Sequence, residues 1–413
     1  MTWIDTRMKY LCVDPGQYGM NVPAESYTAG TARGIRLIRT SDITASGSLK
    51  AAEHGVHIDT KIEPRHQLQQ GDTLLSRSGT LGRSLLVPAE ADGQTFAGFL
   101  IRFRPRPDVD SQFLNFSTQS NSFQGIVHSE AVSSTIQNFN AERYANIPMR
   151  VPGIDEQRQI ANFLTIEVGR MNKLETRYLQ LSTLGHERAQ AVIDAALLKF
   201  PGDTIPVSAA CTAIADCVNK TAPVFNGETP YRMIRTSNIR NGTVDLTNTF
   251  SVEHPTFIEW NRRGAPRMGD ILFTREAPLG QAGILRSNKP VFLGQRIMLY
   301  RANENVIKSD LLLYNFLASH MKEQLRLLGA GSLHEHMRVG DGLKLRVHCP
   351  PLEHQDALVE QIDVDRGQCL KLVNLANRQL ALLAERRKAL ITAAVTGQFD
   401  VSSASGRNVT DGV

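Results

Sequence analysis

Hydrophobic and polar positions along the chain form two kinds of pattern. Short apolar runs of β-forming residues, such as Ile35–Ile38, Thr73–Ser76 and Ile271–Thr274, alternate with turns rich in Gly, Pro, Asn and Asp. Two much longer runs, residues 155–198 and 353–396, contain no proline. The sequence therefore predicts two domains of mixed α/β (α+β) character, each followed by a long helix.

Each long run carries apolar residues at the spacing of one helical face. The stripes comprise Ile160, Leu164, Met171, Leu174, Tyr178, Leu181 and Val192 in the first run, and Leu358, Ile362, Cys369, Leu372, Leu380, Leu383 and Leu390 in the second. Because an isolated helix would leave its stripe in water, the two runs are natural partners in an antiparallel coiled coil. The alternative is that they are core helices within each domain. Gly169, Gly185 and Gly367 are positions where a bend or an interruption is expected.

The sequence repeats itself over most of its length. The segment Arg36–Ile43 returns as Arg232–Ile239, 196 residues later, with RLIRTSDI becoming RMIRTSNI. The segment Gly71–Arg77 returns as Gly269–Arg275 at a shift of 198. Several matches in the same order point to an old duplication whose halves have diverged.

The shift of 198 also relates the two long runs. PGIDEQ at residues 152–157 returns as PPLEHQ at residues 350–355. Proline before the run and acidic residues in its first turn are typical of a helix start. The predicted domains are a first mixed domain at 1–151, a helical spacer at 152–199, a second mixed domain at 200–349, a second helical spacer at 350–400 and a disordered tail at 401–413.

Composition limits the class of protein. The chain has 413 residues, of which 41% are hydrophobic and 21% are charged, as in ordinary globular proteins. No run is long and apolar enough for a membrane helix, and the N-terminus lacks the pattern of a secretory signal. The five cysteines are scattered, so we expect free thiols in a reducing cytoplasm. The net charge of +5 is compatible with nucleic-acid binding.

Motifs for catalysis are missing from the sequence. There is no Asn/Asp-Pro-Pro-aromatic tetrad of an amino-methyltransferase, no P-loop for ATP and no Gly-x-Gly-x-x-Gly. The histidines of His334-Glu335-His336 and of His54 with His57 have no cysteine cluster beside them, so we expect no metal site. The sequence predicts a protein that is not an enzyme.

Several segments resemble the specificity subunit of type I restriction-modification systems. They are residues 147–157 and 350–355, which are similar to the family's PLPPLxEQ helix start, and residues 383–398 (LAERRKALITAAVTGQ), which are similar to its C-terminal helix. The Gly-Asp-x-Leu turns at Gly71–Leu74 and Gly269–Leu272, together with Ser133–Thr135 and Gly331–Leu333, resemble the family's target-recognition domains. Gly153 stands where the family usually has proline, and His354 where it has glutamate.

The resemblance implies a division of labour. Each target-recognition domain would read one half of a split, asymmetric site in double-stranded DNA, and the helices would set the spacing and dock two methyltransferase subunits. Those subunits would bind S-adenosylmethionine and methylate adenine, and motor-nuclease subunits using ATP and Mg²⁺ would cut unmodified DNA. This chain would hold no cofactor of its own. The alternative is an interaction scaffold, or an orphan specificity-like protein outside DNA modification.

Arginine pairs well with guanine and amides with adenine, and both groups, like hydroxyls, also bind phosphates. Residues shared by the two copies are expected to do a shared task, whereas base readers should differ; the unshared candidates include His334 and His336. The DNA-binding candidates are Arg36, Arg39, Thr40, Ser41, Arg77, Arg83 and Arg102 in the first copy, and Arg232, Arg235, Thr236, Ser237, Asn238, Arg275, Gln281 and Arg296 in the second.

Overall fold

The computed structural model describes residues 3–29, 34–132, 138–199, 204–329 and 336–401. The chain divides into two compact units, Met1–Tyr178 with Arg378–Val413 (unit 1), and Leu179–Asn377 (unit 2). Each unit contains one mixed domain and half of each long helix. The mixed α/β class and the pairing of the long helices are confirmed, and the three quoted β-runs are strands with the predicted bounds.

Within the described part of unit 1, the strands form a β2-β9-β6-β7 sheet, a β3-β5-β4-β8 sheet and a β1-β10 pair. The three short helices cover the first of these sheets, and their apolar residues share a core with the long helices. The elements are β1 Ile4–Arg7, β2 Gln17–Tyr18, β3 Thr28–Ala29, β4 Ile35–Ile38, β5 Val56–Ile58, β6 Thr73–Ser76, β7 Ser84–Leu86, β8 Thr95–Phe96, β9 Leu100–Phe103, α1 Ser111–Gln119, α2 Asn121–Val132, α3 Ala141–Asn146, β10 Pro148–Val151 and α4 Ile154–Leu198, which continues into unit 2.

Unit 2 repeats this plan. Its described strands form a β12-β20-β17-β18-β15-β14 sheet, a β16-β13-β19 sheet and a β11-β21 pair. The elements are β11 Thr204–Pro206, α5 Val207–Ala210, β12 Cys211–Asp216, β13 Arg232–Ile234, β14 Ile239–Arg240, β15 Gly242–Val244, β16 Phe250–Ser251, α6 His254–Trp260, β17 Ile271–Thr274, β18 Ala282–Ile284, β19 Val291–Leu293, β20 Ile297–Ala302, α7 Ser309–Leu317, α8 Ser319–Gly329, α9 Val339–Gly342, β21 Arg346–His348 and α10 Leu352–Val395, which continues into unit 1.

The long helices α4 and α10 pair antiparallel within each unit. In unit 1, Arg387 donates a hydrogen bond of 2.9 Å to Asn172 Oδ1. In unit 2, Ser182 bonds Asn377 at 3.1 Å, and a Cβ on Gly185 would lie 2.5 Å from a methyl carbon of Val373. Position 185 therefore needs glycine because the helices approach closely there. Neither helix is interrupted at the three glycines where a bend or an interruption was expected.

The predicted apolar stripes are only partly correct. Ile160, Leu164 and Met171 are buried on α4, and Leu358, Ile362 and Cys369 are buried on α10. The prediction was wrong for three leucines, which the structure leaves largely exposed: Leu174 at 41%, Leu181 at 42% and Leu372 at 52%. Smaller residues, Ala189 and Ala376 among them, are buried on these helices instead.

The repeated glutamine at each helix start has the same structural task in both units. Gln157 accepts a hydrogen bond from Asp110 N and donates to Pro152 O, and Gln355 accepts from Lys308 N and donates to Pro350 O. Both side chains are almost fully buried. Each glutamine thereby ties the first turn of a long helix to the residue that precedes a short helix of its domain.

Two histidines of unit 2 form a half-buried pair. The rings of His320 and His348 lie 4.8 Å apart at an interplanar angle of 84°, and His320 Nε2 finds no hydrogen-bond partner among the described residues. Burial, followed by repulsion from His348, lowers the pKa of His320 to about 4, although Asp194 opposes the shift. His320 is therefore neutral in the folded chain near neutral pH.

We expect this pair to make unit 2 sensitive to acid. Between pH 6.5 and about 4 the unfolded chain binds a proton at His320 and the folded chain does not, so stability falls as the pH falls through this window. In thermal unfolding, His320→Gln should show a shallower loss of melting temperature than the wild type over these pH values. His54→Gln, at an exposed position of unit 1, is the matched control. Equal slopes for wild type and His320→Gln would contradict the assignment.

Parts of the sequence predictions fall on residues outside those described. These are Ser133–Thr135, Gly331–Leu333, His334 and residues 402–413 of the predicted tail. Val401, the first residue of that predicted tail, is described and is buried in the core of unit 1.

Candidate nucleic-acid interface

The repeated Arg-Thr-Ser segment folds into the same turn in both units. Residues Thr40–Asp42 and Thr236–Asn238 each form one 3-10 turn directly after a buried strand. Asp42 Oδ2 accepts a hydrogen bond from Arg39 N at 2.8 Å, and Asn238 Oδ1 accepts one from Arg235 N at 2.9 Å. The buried fourth residue fixes the turn, and the serine of each turn is exposed to solvent.

The arginine that opens the turn has different surroundings in the two units. The Arg39 guanidinium donates to Asp42 Oδ1 at 3.2 Å and lies 5.9 Å from the centre of the Tyr27 ring. Arg235 faces the neutral Asn238, lies 3.9 Å from the centre of the Phe250 ring and donates to a backbone carbonyl at 3.1 Å. Both guanidinium groups are therefore held in place beside a half-exposed hydroxyl-bearing turn.

In unit 1 this turn lines an open concavity of about 350 Å³. Its other walls are the loop at residues 78–80 and the side chains of Arg83 and Phe99. Thr40 Oγ1 is buried and finds no partner among the described residues, and Arg83 donates to Ile43 O at 2.9 Å. Gly79 at the rim has open space where a side chain would stand, which allows close approach by a phosphate backbone.

The corresponding region of unit 2 contains ion pairs around one glutamate. Glu276 replaces Ser78 and lies 3.4 Å from Arg296 Nε and 3.2 Å from His336 Nδ1. The Arg296 backbone has a φ of +70°, and its N–H donates to Cys217 Sγ at 3.1 Å. Unit 2 thus presents a half-exposed arginine paired with Glu276, whereas unit 1 has the uncharged Ser78 at the position of this glutamate.

The fold of this chain is similar to that of a solved structure. A chain from a structure of the type I R-M system, described for its complex assembly and conformational transition, aligns over 96% of this chain and 98% of its own length, with 16% identity and a TM-score of 0.68. This chain shares the fold of that type I restriction-modification chain.

Two other solved structures align with lower TM-scores. The HsdS subunit from Thermoanaerobacter tengcongensis and the type I restriction-modification S subunit from M. genitalium each align over 96% of this chain and over 97% and 96% of their own. Their identities are 16% and 12%, and their TM-scores of 0.46 and 0.42 are low. No family model matches the sequence, and neither does a curated protein. The first comparison alone, with its TM-score of 0.68, confirms the expected resemblance to type I restriction-modification proteins at the level of the fold.

Within this type I restriction-modification fold, three of the candidate arginines form hydrogen bonds or ion pairs inside their domains. Arg36 donates to Lys50 O and Ala51 O, and Arg102 pairs with Asp14 at 2.9 Å. Arg275 pairs with Asp216 at 3.1 Å. All three side chains are buried, so their guanidinium groups stabilise the domains and are not exposed for contact with DNA.

The other candidates differ in their burial and in the contacts that they form. Arg77 donates to Asn138 and lies 4.9 Å from the centre of the Tyr18 ring, whereas its repeat partner Arg275 is buried. Arg232 donates to Ser251 Oγ at 2.6 Å. Asn238 is buried within its turn, and Gln281 is half-buried beside Thr274. The structure brings together Thr40, Ser41 and Arg83 in unit 1.

Phe99 is the residue that sequence reasoning missed. It is 64% exposed and lines the concavity of unit 1. Its backbone carbonyl accepts from Arg77 N, as that of Arg296 accepts from Arg275 N, so the two residues are structural equivalents. The shift between them is 197 rather than 198. A comparison at the fixed shift of 198 pairs Phe99 with Ile297 instead.

The described residues include neither a metal-binding cluster nor a helix suited to crossing a membrane. Within the described ranges, no three His, Cys, Asp or Glu side chains come together in a way that could hold a metal ion. None of the helices in the same ranges has the length and apolar character that a membrane crossing requires.

Proposed function

We propose that this chain is the specificity subunit of a type I restriction-modification system. Each unit reads one half of a bipartite, asymmetric site in double-stranded DNA. The observation that carries the proposal is the duplicated turn: two units share its geometry and differ in the exposed side chains around it. To read two different half-sites, two units need the same backbone geometry to position them on DNA and different exposed side chains to contact the bases.

Affinity and sequence choice are assigned to different residues. The turn residues Thr40, Ser41, Thr236 and Ser237, with Arg39 and Arg235 beside them, are the same in both units and bind phosphates, which carry no sequence information. The residues that differ, Arg83 against Gln281 among them, contact base edges. The duplicated frame positions the variable residues on the DNA.

The chain acts through partners. Two methyltransferase subunits dock on the helical regions, where Leu174, Leu181 and Leu372 offer exposed apolar surface. Those subunits bind S-adenosylmethionine and methylate adenine, and restriction subunits with ATP and Mg²⁺ cleave unmodified DNA. The chain itself supplies no catalytic group and works in the cytoplasm.

Adenine-methylation mapping tests this function. Deleting the gene should abolish methylation at a single split, asymmetric motif, and returning the gene should restore it. Because one chain would set both halves, both should disappear together. Unchanged methylation, in a strain whose neighbouring methyltransferase is active, would contradict the proposal; an exchange of residues 1–151 for those of another member should alter one half of the motif only.

A further inference from the structure

Phe99 and Arg296 occupy one position of the duplicated frame. In unit 1, Ala97 N donates to Ile38 O and Arg77 N donates to Phe99 O at 3.0 Å; in unit 2, the matching bonds are Gly294 N to Ile234 O and Arg275 N to Arg296 O at 2.8 Å. Both positions directly precede a buried strand, β9 or β20. The two residues therefore occupy the same place in the hydrogen-bonded frame, with a φ that is positive at Arg296 and not at Phe99.

Both side chains stand out into solvent. Phe99 is 64% exposed beside Thr40, Ser41 and Arg83, and the Arg296 side chain is 50% exposed. Single exposed aromatic residues are common on protein surfaces. This one, however, stands on the wall of a concavity whose other walls are hydroxyls, backbone and an arginine, so it supplies the apolar surface there.

The backbone of Arg296 has an unfavourable conformation, and neighbouring residues hold it in place. A φ of +70° is unfavourable for any residue with a Cβ, and glycine would adopt it freely. The backbone is nevertheless held by Cys217 Sγ, and the guanidinium is steered by Glu276, which lies 3.4 Å from Nε. Backbone strain at a residue whose side chain is exposed and held in one orientation indicates a function for that side chain.

The task is not phosphate binding. Phenylalanine has no hydrogen-bond donor, so a position that holds Phe99 in one unit and arginine in the other does not carry the shared contact to the backbone of DNA. Phenylalanine instead suits the C5-methyl group of thymine, and arginine suits the O6 and N7 acceptors of guanine. The chemistry at this position changes between units as base choice would.

We propose that positions 99 and 296 each select one base pair of the target, Phe99 by apolar contact with a thymine methyl group and Arg296 by hydrogen bonds to a guanine. This inference rests on the proposed function. It predicts a T·A pair in the half-site read by unit 1 and a G·C pair in the half-site read by unit 2, each at the position that the respective residue contacts.

The experiment maps methylation in the deletion strain with variant full-length chains. Phe99→Ala should relax one position of one half-site, so that non-thymine sites are methylated within about 3-fold of thymine sites instead of 10-fold or more below them. Arg296→Ala should do the same at one position of the other half. Phe99→Leu, which keeps an apolar side chain, and Arg296→Lys, which keeps the charge, are the matched variants and should retain part of the preference.

The outcomes separate this inference from the proposed function. If the wild-type chain restores a split motif but Phe99→Ala and Arg296→Ala leave that motif unchanged, or weaken all sites equally, the base-selecting role is wrong and the proposed function stands. If the wild-type chain restores no motif, both are overturned. Methylation that persists in the half-site of the other unit shows that each variant chain is folded.

Discussion

Replacing Arg301 by methionine should destabilise unit 2 by about 3 kcal/mol, because it strands a buried carboxylate. Asp270 belongs to the repeated Gly-Asp-x-Leu turn, and its side chain is 2% exposed. Arg301 donates to both carboxylate oxygens, at 2.8 and 2.7 Å, and the hydrogen bond raises the pKa of Arg301. Without the guanidinium, the described donors leave Asp270 only the N–H of Arg267, at 2.7 Å.

The two tryptophans make this effect measurable one unit at a time. Trp3 lies in unit 1 and Trp260 in unit 2, so in a Trp3→Phe background fluorescence reports unfolding around Trp260. The denaturation midpoint of Arg301→Met should then fall clearly below that of its parent. Arg286→Met, which breaks the solvated pair with Asp310, is the matched control and should cost less than about 1 kcal/mol. If the two variants lost the same free energy of unfolding, the pair of Arg301 with Asp270 would stabilise the unit no more than a solvated pair does.

The duplication extends this expectation to unit 1. Arg104 donates to both oxygens of Asp72 at 2.7 and 2.8 Å, and Asp72 accepts from Gln69 N as Asp270 accepts from Arg267 N. The sequence predicted that the Gly-Asp-x-Leu segment would recur in equivalent places. It did not indicate the arginine partner, because a salt bridge between residues about thirty positions apart leaves no local pattern.

Burial of arginine could not be predicted from the chain alone. Arg36, Arg39 and Arg235 occur in matching segments, yet Arg36 turns into the domain and bonds carbonyls, and the other two stay half-exposed. A long side chain with a charged end can lie along either face of a strand end, and its direction depends on carbonyls from distant loops. Arg275 shows the same effect, since Asp216 holds it inside.

The long helices show where periodicity is sufficient and where it fails. The length of each helix, its start after proline and its antiparallel partner follow from the absence of proline and the repeated apolar spacing. The exposure of Leu174, Leu181 and Leu372 could not be predicted in this way. A helical pattern shows where apolar residues lie on the helix, but it does not show which neighbouring element covers them. Gly185 was expected to bend or interrupt the helix; it allows close packing against Val373.

The proposed function predicts that shortening both long helices together changes the gap between the two half-sites of the target. Residues Leu174–Arg177 and Leu382–Glu385 lie on opposite helices of unit 1 and are mostly exposed, so removing both segments keeps the helices in register. Four residues correspond to about 6 Å of helix, and B-DNA rises about 3.4 Å per base pair. The methylated motif should therefore have a spacer about two base pairs shorter, and methylation at the original spacing should fall at least about 10-fold.

The control for this deletion keeps the length and changes the side chains. Alanine at the seven of these eight positions that are not already alanine should leave the spacer as it is in the wild type, because alanine maintains a helix. Removing four residues from one helix alone should lower methylation at every spacing, since it shifts one helix against the other and separates pairs such as Arg387 with Asn172. A paired deletion that methylates the original motif at the wild-type level would show that the helices do not set the gap, and the distance between half-sites would then have to come from the recognition domains themselves.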